Sequence, residues 1–418
     1  MLLFPAVYTP SAAMSLPPDL PLSYCTNVHP CRRASDVPTM LDRYTVPVRA
    51  RCGFDIAAGL WLPAVAVEEL EASPQAGDDL ERALRERQMT CYTLNAFPFG
   101  DFHGERVKEQ VYLPDWSDLR RRQYTERCAR VLARLLGDTA EGSISTLPLG
   151  FRGFDHVSTF FADCCLQLLT LAEFLAELER QTGKCIRLAI EPEPFCLCET
   201  TSQTIEFFDQ LRAAAARRGL TAEAERYLGI CYDVCHQAVE FEDAGEAIGR
   251  LAAAGIRINK VQLSCAIEVR EPSDPGQLAA LRPYAEPRYL HQTFGRRPDG
   301  SVVRRVDLTT DFVSQPTDDF REASCWRVHF HVPVDAHTLG PLHTTRADLE
   351  QALRALGQLD YRPHLEVETY TWPVLPGADP VSLVEGLARE LLAIRELQSA
   401  DGDSGERPPS GAPPATTI

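Results

Sequence analysis

The sequence is poor in lysine and lacks the phosphate-binding motifs of nucleotide-dependent enzymes. Its lysines are Lys108, Lys184 and Lys260, and arginine supplies the rest of the lysine and arginine total. We attribute this to genome composition rather than function, although a scarce lysine can also be a functional one. No GxGxxG or GxxxxGKS/T stretch follows a predicted strand. Dinucleotide and P-loop chemistry therefore both lack the backbone cradle that holds their phosphates.

Long apolar stretches and an excess of positive charge are also missing. No uninterrupted apolar run reaches the roughly 18 residues of a membrane span. Prolines interrupt residues 1–21, and this segment lacks the positively charged n-region of a signal peptide, so we do not expect one. Lysine and arginine number 42 against 59 aspartates and glutamates, a formal charge of −17. Because this charge repels phosphate backbones and anionic membranes, we expect a soluble cytoplasmic protein with no nucleic-acid partner.

Cysteine is abundant but not arranged as a framework. The 14 cysteines are scattered through predicted strands and helices, which is typical of reduced thiols in a long chain. The pairs Cys196-x-Cys198 and Cys231-x3-Cys235 lack the CxxC spacing of structural zinc sites. We therefore expect these cysteines to be buried packing residues.

Length and composition favour one large domain with additions at its ends and in its middle. Hydrophobic residues make up 44% and charged residues 24% of the chain, which is ordinary for a globular protein. We predict a flexible leader at 1–20, a folded domain at 21–398 and a disordered tail at 399–418. Prolines, glycines and charges break the pattern at about 266–325, where we predict an insertion.

Strand and helix patterns alternate through the domain, as in proteins with a parallel sheet. Eight or nine strands in this arrangement predict a closed (β/α)8 TIM barrel, and an open doubly wound sheet is the alternative. The predicted strands are Leu22–Asn27, Phe54–Leu62, Thr90–Phe97, Ser143–Leu149, Cys185–Ile190, Tyr227–Tyr232, Ile258–Ser264, Val328–Val334 and His364–Thr369. The predicted helices are Val65–Leu70, Asp79–Gln88, Trp116–Leu136, His156–Gln181, Ser202–Arg218, Ala244–Ala254, Arg346–Leu356 and Val381–Leu397.

Polar side chains gather where the predicted strands end. In a barrel of this type those ends meet at one mouth, where active sites are built. Several carboxylates there would repel one another without a cation or a shared proton, which predicts a site for Mg²⁺, Mn²⁺ or a similar hard ion. The candidate residues are Asn27, His29, Asn95, Glu191, Glu193, Asp233, His236, Gln262, His329, His331, Glu366 and Glu368.

Two of these choices stay open on the residues alone. Side chains alternate along a strand, so Glu191 shares a face with Glu193, and Glu366 shares a face with Glu368. Alternation therefore cannot choose within either pair. Each pair is also compatible with a solvated strand end, and the two histidines of VHFHV are compatible with neutral packing residues.

The order of these motifs resembles the metabolite traffic protein EboE family, within the xylose isomerase-like TIM barrel superfamily. The resemblance runs from about Leu22 to Leu397. The stretches that carry it are YCTNVHP, TLNAFPFGDFHGERVKEQVYLPDW, AIEPEP, CYDVCHQAVEFED, KVQLS, YLHQ, WRVHFHVPV and HLEVETYTW. The resemblance implies a metal-binding barrel related to sugar isomerases and sugar-phosphate epimerases, grouped in bacteria with an operon that moves a secondary-metabolite precursor.

The resemblance also implies roles for individual residues. The metal ligands of the superfamily fall on Glu191, Asp233 and Glu366, with Gln262 at the position usually held by histidine. An amide oxygen is a weaker ligand than imidazole for a borderline metal, so a histidine of VHFHV is the alternative fourth ligand. His236 matches the substrate-side histidine of the superfamily. We expect further substrate contacts from Asn27, His29, Asn95 and His331.

Together these expectations favour a divalent-metal-dependent isomerase or epimerase acting on a polyol, a sugar or a sugar-like precursor. Glu191 and Glu366 would exchange protons with adjacent substrate carbons, while His236 holds a substrate oxygen. The alternative is a non-catalytic metabolite-binding protein that uses the same pocket and interacts with proteins of the same operon. Phosphodiester hydrolysis of the endonuclease type shares the barrel but is disfavoured by the net charge.

Overall fold

The computed structural model describes residues 20–377 and 380–403, without the side chains of 380–382 and 400–403. Within these residues the strands are β1 (Ser23–Cys25), β2 (Ala57–Trp61), β3 (Thr93–Asn95), β4 (Glu141–Thr146), β5 (Cys185–Ile190), β6 (Leu228–Asp233), β7 (Ile258–Leu263), β8 (Cys265–Val269), β9 (Thr293–Arg296), β10 (Val302–Arg305), β11 (Cys325–Val332), β12 (Thr338–Leu339), β13 (Leu342–Thr344) and β14 (His364–Val367). Almost all of the predicted leader and most of the predicted tail lie outside the described residues.

Helices connect and cover these strands. The α-helices are α1 (Asp36–Met40), α2 (Val46–Cys52), α3 (Ala64–Ala72), α4 (Pro74–Glu86), α5 (Leu119–Leu135), α6 (Phe160–Thr182), α7 (Thr201–Arg218), α8 (Thr221–Tyr227), α9 (Val234–Val239), α10 (Ala244–Ala253), α11 (Pro275–Leu281), α12 (Thr310–Ser314), α13 (Asp318–Arg321), α14 (Arg346–Leu356) and α15 (Pro380–Asp403). A π-helix spans Leu41–Thr45, and 3₁₀ helices span Thr26–Val28, Lys108–Tyr112, Arg282–Tyr284 and Trp372–Val374. Helix α15 continues past the predicted helix end at Leu397.

Eight parallel strands close into a barrel in the order β1-β14-β7-β6-β5-β4-β3-β2. The ring closes because β1 pairs in parallel with both β14 and β2. This confirms the predicted (β/α)8 TIM barrel, and the open doubly wound sheet is wrong. Every residue of β6 and of β7 is buried, as expected for strands that are covered by helices outside and by the barrel core inside.

The local sequence sets the boundaries of these elements. Gly183 ends α6 in the left-handed conformation at φ 70°, a conformation that glycine adopts without steric cost. Strand β5 follows at once and matches its predicted bounds. One strand further along the chain, Asp233 ends β6. It also caps α9, because its side chain accepts a hydrogen bond from the His236 N–H.

A second sheet is built from the segment between β7 and β14. It is antiparallel in every pairing, with the order β10-β9-β11-β8-β13-β12. The predicted strand Val328–Val334 belongs here, as part of β11, so its count as a possible barrel strand was wrong. Alternating apolar and polar residues identify a buried strand but not its partner. The sheet occupies 265–344, and the insertion boundaries at about 266–325 stay a prediction.

A buried ion pair crosses the interior of the barrel below its mouth. Lys260 Nζ lies 2.5 Å from Glu366 Oε1, and both side chains are fully buried. Ser23 Oγ donates a hydrogen bond of 3.1 Å to Glu366 Oε2, and Lys260 Nζ lies 3.3 Å from Ser145 Oγ. A Cβ atom at Gly59 would lie 1.4 Å from Glu366 Oε2. The absence of a side chain at Gly59 therefore makes room for the Glu366 carboxylate.

No helix in the described part of the chain is long and apolar enough to cross a membrane. The cysteines are unpaired, and all except the half-buried Cys325 are buried. Their role as packing residues stays a prediction, and the Cys235 Sγ lies within 4.8 Å of ring nitrogens of His329 and His331.

Candidate metal centre

Three carboxylates from three barrel strands converge at the mouth of the barrel. Glu191 follows β5, Asp233 ends β6 and Glu368 follows β14. One ligand oxygen from each lies within 4.8 Å of the other two, and all three residues are buried. Glu191 Oε2 and Asp233 Oδ2 have no hydrogen-bond partner. Buried carboxylate oxygens without donors are costly unless a cation or proton compensates them, so the donor set fits a divalent cation.

The register of the strands explains why Glu368 joins this cluster and Glu366 does not. Asp233 pairs with Gln262, and Gln262 pairs with Glu366, so this line of partners crosses two strand spacings. Strands about 4.8 Å apart and tilted by about 36° change height by about 5.6 Å over two spacings. A step of two residues along a strand with this tilt also changes the height, by about 5.3 Å. Glu366 therefore lies one layer below Asp233, against Lys260, and Glu368 returns to the height of Asp233.

Two predicted substrate contacts instead hold Glu368. Asn27 Nδ2 donates to Glu368 Oε1 at 2.8 Å, and Asn95 Nδ2 donates to the same oxygen at 2.9 Å. Asn95 Oδ1 in turn accepts from the Phe97 N–H at 2.9 Å, which fixes the orientation of its amide. Both asparagines line the pocket. They leave Glu368 Oε2 free of these donors.

Asp233 is held on one side only. Its Oδ1 accepts from Ser264 Oγ at 2.7 Å and from the His236 N–H at 3.1 Å. Ser264 is itself oriented because its Oγ accepts from the Cys235 N–H at 2.9 Å. These contacts turn the unpartnered Oδ2 toward the neighbouring imidazoles.

Two predicted site residues, His29 and Gln262, are not among the residues that line the pocket at the barrel mouth. His29 is buried with its ring stacked on Tyr44 at 4.0 Å and its Nε2 3.1 Å from Tyr24 Oη, and burial lowers the pKa of His29 to about 3. This environment is that of a packing residue. Gln262 is fully buried beside Asp233 in the strand register, and neither of its side-chain polar atoms has a hydrogen-bond partner. Its role as a ligand stays a prediction.

The second sheet brings histidines to the barrel mouth. His329 and His331 lie on β11, and their Nε2 atoms are 3.2 Å apart. His331 Nε2 lies 3.8 Å from Asp233 Oδ2, and His236 Nε2 lies 3.6 Å from the same oxygen. One imidazole from the barrel and one from the second sheet therefore lie close to the Asp233 carboxylate.

Burial and mutual repulsion shift the protonation of these groups. Burial, followed by the charges of Glu368 and Asp233, raises the pKa of Glu191 well above its usual range. Burial, followed by the charge of Asp233, likewise raises the pKa of Glu368. Burial raises the pKa of Glu193 to about 8 and lowers that of His236 to about 4. Without a cation, burial therefore favours the protonated forms of Glu191 and Glu368 and the neutral form of His236.

A pocket lined by Glu191 and Glu368 opens at the barrel mouth. Its floor is polar and its walls are largely aromatic. The second-sheet segment contributes Tyr289, Leu290 and His329, so it closes one side of the mouth. The candidate residues that line this pocket are Asn27, Asn95, Glu191, Glu193, His236, His329 and Glu368. The lining residues are Asn27, Asn95, Phe97, Pro98, Phe102, Val107, Lys108, Val111, Tyr112, Glu191, Glu193, His236, Tyr289, Leu290, His329, Glu368 and Tyr370.

Sequence reasoning missed the hydrogen-bonded chain that supports one wall. Tyr112 Oη donates to Glu193 Oε1 at 2.7 Å, and Gln292 Nε2 donates to Tyr112 Oη at 3.1 Å. Gln292 lies in the YLHQ stretch just before β9, and Tyr112 lies in a 3₁₀ helix. Neither follows a barrel strand, so the rule that led to the other residues does not reach them. The only signal was that both lie in stretches that carry the family resemblance.

Fold and site together define a (β/α)8 barrel with a candidate metal centre at the carboxyl ends of its strands. The chain is similar to a structure of the IolI protein with a bound zinc atom, at 12% identity over 91% of this chain and 99% of that one, with a TM-score of 0.47. It is also similar to a D-tagatose 3-epimerase-like protein, at 11% identity over 92% and 99%, with a TM-score of 0.49. A third similar structure is a xylose isomerase-like TIM barrel protein from Mycobacterium smegmatis in complex with magnesium, at 13% identity over 91% and 97%, with a TM-score of 0.43.

No family model matches the chain, and no curated protein matches it. Because the structural similarities are distant, the fold assignment rests on the strand order and register of this chain itself.

Proposed function

We propose that the protein is a divalent-metal-dependent isomerase or epimerase that acts on a small sugar-like or polyol metabolite. The observation that carries this proposal is the cluster of Glu191, Asp233 and Glu368. Its ligand oxygens lie within 4.8 Å of one another at the floor of the pocket. We assign Glu368 the ligand role that was expected for Glu366, and we keep Glu191 and Asp233 as the other two ligands.

The cation would be held by oxygens of these three carboxylates, which suits Mn²⁺, Mg²⁺ or a similar ion. Bound there, it would supply Lewis-acid polarisation of a substrate carbonyl. Gln262 stays a candidate for a further ligand because its amide is buried without a partner. The three carboxylates have no lysine or arginine as an ion-pair partner in the described chain.

Proton transfer is assigned to Glu191 and Glu368. Both line the pocket, and the two residues reach it from different strands. Burial raises the pKa of both carboxyls in the metal-free chain, and a carboxyl beside the substrate is the kind of group that exchanges a proton with a carbon next to a carbonyl. The amides of Asn27 and Asn95 fix Glu368 by its Oε1 atom, so its Oε2 atom is the one available to the site.

The shape and lining of the pocket support a small polar substrate. Aromatic side chains such as Phe102, Tyr112 and Tyr370 form apolar walls around a floor of carboxylates and amides. Apolar walls with a few convergent polar groups are typical of small-molecule sites. His236 presents an Nε2 atom to this pocket, where it can accept a hydrogen bond from a substrate hydroxyl.

The test begins with metal-free protein titrated with Mn²⁺. We expect tight binding to the wild type and at least about 100-fold weaker binding to Glu368→Gln, which loses a ligand charge. Glu240→Gln is the matched control, because Glu240 is also a buried carboxylate but lies outside the cluster. Equal affinity for the wild type and Glu368→Gln would contradict the proposal.

Turnover is tested by following deuterium incorporation from solvent into a panel of ketoses and polyol-derived ketones. We expect exchange that depends on added metal and is lost in Glu191→Gln. Exchange that persists in the metal-free protein, or that survives in Glu191→Gln, would contradict the assigned proton transfer.

A finer proposal is an EboE-type role in metabolite traffic, with the pocket retaining a precursor rather than converting it. The observation that favours retention is the cover formed by the second-sheet segment. Lys108 Nζ bonds the Tyr289 carbonyl at 2.6 Å and Asp307 Oδ2 at 2.8 Å, which ties that segment to the barrel. Metal-dependent solvent exchange, lost in Glu191→Gln, would rule retention out.

A further inference from the structure

The hydrogen bonds of three histidines fix which ring nitrogen carries the proton. His236 Nδ1 lies 3.0 Å from the Pro192 carbonyl oxygen, and His331 Nδ1 lies 2.8 Å from the Glu368 carbonyl oxygen. A carbonyl oxygen only accepts hydrogen bonds, so both Nδ1 atoms must be donors. In the neutral ring, the Nε2 atom of each histidine therefore bears a lone pair.

His329 is fixed in the same way through Gln292. The Gln292 amide nitrogen lies 3.2 Å from the Pro194 carbonyl oxygen and 3.1 Å from Tyr112 Oη. This orients the Gln292 amide so that its Oε1 faces His329 Nδ1, at 2.7 Å. Since Oε1 only accepts, His329 Nδ1 is also a donor, and its Nε2 bears a lone pair.

Four electron-pair donors then form a chain of close contacts without a hydrogen between neighbours. The Nε2 atoms of His329 and His331 are 3.2 Å apart. His236 Nε2 and His331 Nε2 lie 3.6 and 3.8 Å from Asp233 Oδ2, an oxygen that has no hydrogen-bond partner. All four residues are buried. Lone pairs at this separation in a dry site repel one another unless a cation or a proton lies among them.

We propose that Asp233, His236 and His331 form a second metal site, which shares the Asp233 carboxylate with the first centre, has His329 beside it and is selective for a borderline ion such as Zn²⁺. Imidazole ligands favour Zn²⁺ over Mg²⁺. In a tetrahedral zinc site with bonds of about 2.0–2.1 Å, neighbouring ligand atoms are about 3.3 Å apart. The separations of 3.6 and 3.8 Å from Asp233 Oδ2 to the Nε2 atoms of His236 and His331 are close to this value.

The surroundings of this site match those of metal-ligating histidines. Such histidines usually donate their other ring N–H to a carbonyl or carboxylate, which fixes the ring and its tautomer. Here each Nδ1 donates to a backbone or side-chain carbonyl oxygen. The Glu368 residue whose carbonyl holds His331 also contributes its carboxylate to the first centre, so the two sites are built on shared residues.

The second site would also join two parts of the fold. His236 and Asp233 belong to the barrel, whereas His329 and His331 belong to β11 of the second sheet. An ion at this position therefore crosslinks the second sheet to the barrel mouth. It would also let His236 hold a substrate oxygen through the ion instead of directly. The proposal does not depend on the isomerase function, because its ligands are read from the geometry alone.

The test measures metal stoichiometry and ligand type in the full-length protein. Metal-free wild type titrated with Co²⁺ or Zn²⁺ should bind two equivalents, and zinc K-edge absorption should show scattering from imidazole rings. The double variant His329→Gln/His331→Gln should lose one equivalent and most of the imidazole scattering. His343→Gln, which changes a histidine of the same sheet outside the cluster, should retain both.

A third variant separates this proposal from the first centre. Glu191→Gln/Glu368→Gln should lose the other equivalent and keep the imidazole scattering. If the wild type binds a single equivalent with imidazole scattering that survives in this variant, the second site stands and the carboxylate centre fails. Wild type that binds one equivalent without imidazole scattering, or none, overturns the second site and leaves a shared proton between His329 and His331. This wild-type measurement decides the question even if the histidine variant does not fold.

Metal-dependent stability gives an independent readout. Because an ion that binds only the folded state stabilises it, Zn²⁺ should raise the melting temperature of the wild type more than that of His329→Gln/His331→Gln. Equal shifts in the two proteins, with one equivalent bound by each, would contradict the crosslink.

Discussion

Two layers of the barrel interior hold buried carboxylates and differ in how their charge is compensated. In the lower layer, Glu366 lies 2.5 Å from Lys260 Nζ and accepts a hydrogen bond from Ser23. In the upper layer, Glu191, Asp233 and Glu368 converge within 4.8 Å. A cationic side chain of the described chain pairs with Glu366 but with none of these three.

The difference separates a structural group from a functional one. A buried carboxylate with its own ammonium and hydroxyl donors completes the core and needs no ligand. Buried carboxylates that repel one another and keep unpartnered oxygens lower their free energy by binding a cation. The two layers are two residues apart on β14 and its extension, so a single step along the chain changes the role of a glutamate.

The largest effect should come from removing the cation of the lower layer. Lys260→Met leaves Glu366 charged and buried without a partner, so we expect a loss of about 3–5 kcal/mol in the free energy of unfolding. Urea unfolding at neutral pH measures it. The double variant Lys260→Met/Glu366→Leu should recover much of the loss, because it removes the unpaired charge as well. A change below about 0.5 kcal/mol in the single variant would show that the pair is not what stabilises this layer.

The same comparison shows how far sequence reasoning reaches. Alternation within HLEVET identified Glu366 and Glu368 as equivalent choices, and the resemblance favoured Glu366. Only the register and tilt of the strands between Asp233 and β14 decide the height of each residue, and these depend on barrel closure. Lys260 offered a hint, because a lysine in an apolar strand on the same face as Gln262 needs a buried counter-charge.

The fold was more accessible than the site. Continuous apolar runs and glycine stops located β5 and α14 with their bounds, since these signals are local. The role of VHFHV was not accessible, because a strand of a buried antiparallel sheet has the same pattern as a barrel strand. The sequence therefore identified His329 and His331 as candidates but could not place them at the barrel mouth. Their position depends on how the second sheet packs over the barrel.

The next largest effect should come from replacing one glutamate of each layer by glutamine, which compares the two layers directly. Glu368→Gln should weaken Mn²⁺ binding at least about 100-fold, or about 2.7 kcal/mol. Its metal-free form should be as stable as the wild type or more stable, because glutamine is neutral without taking up a proton. Glu366→Gln should instead lower the free energy of unfolding and keep most of the Mn²⁺ affinity. Isothermal titration and urea unfolding of both variants provide the four values, and the reverse pattern would exchange the roles of the two layers.

A smaller effect is expected from the residue that orients Asp233. Ser264→Ala removes the 2.7 Å hydrogen bond to Asp233 Oδ1, and loss of such a support typically costs about 10–100-fold in metal affinity. We expect a value near the lower end, since the His236 N–H still holds the same oxygen. Isothermal titration with Mn²⁺ measures the change, with Ser314→Ala on the exposed surface as the control. Unchanged affinity would mean that the strand and the His236 N–H position Asp233 without help from Ser264.

The last effect is a slope with pH and concerns Glu240, whose charge is only partly compensated. Glu240 lies 2.9 Å from Arg304, yet burial and the charge of Glu199 raise its pKa to about 8. A carboxyl with a raised pKa stabilises the fold below its unfolded pKa, and this stability is lost as the pH rises through about 8. Glu240→Gln should therefore make the decline of stability between about pH 4.5 and 8 shallower by at most about 1.4 kcal/mol per pH unit. Urea unfolding across this range measures the slope, and a slope identical to that of the wild type would contradict the shift.

The most direct test of the two-layer account is an anomalous-difference map from a crystal soaked in Mn²⁺. We predict a peak within about 2.0–2.6 Å of oxygens from Glu191, Asp233 and Glu368, with Glu366 still paired to Lys260. A peak bound by Glu366, or a strong peak elsewhere with none at the three carboxylates, would contradict the account.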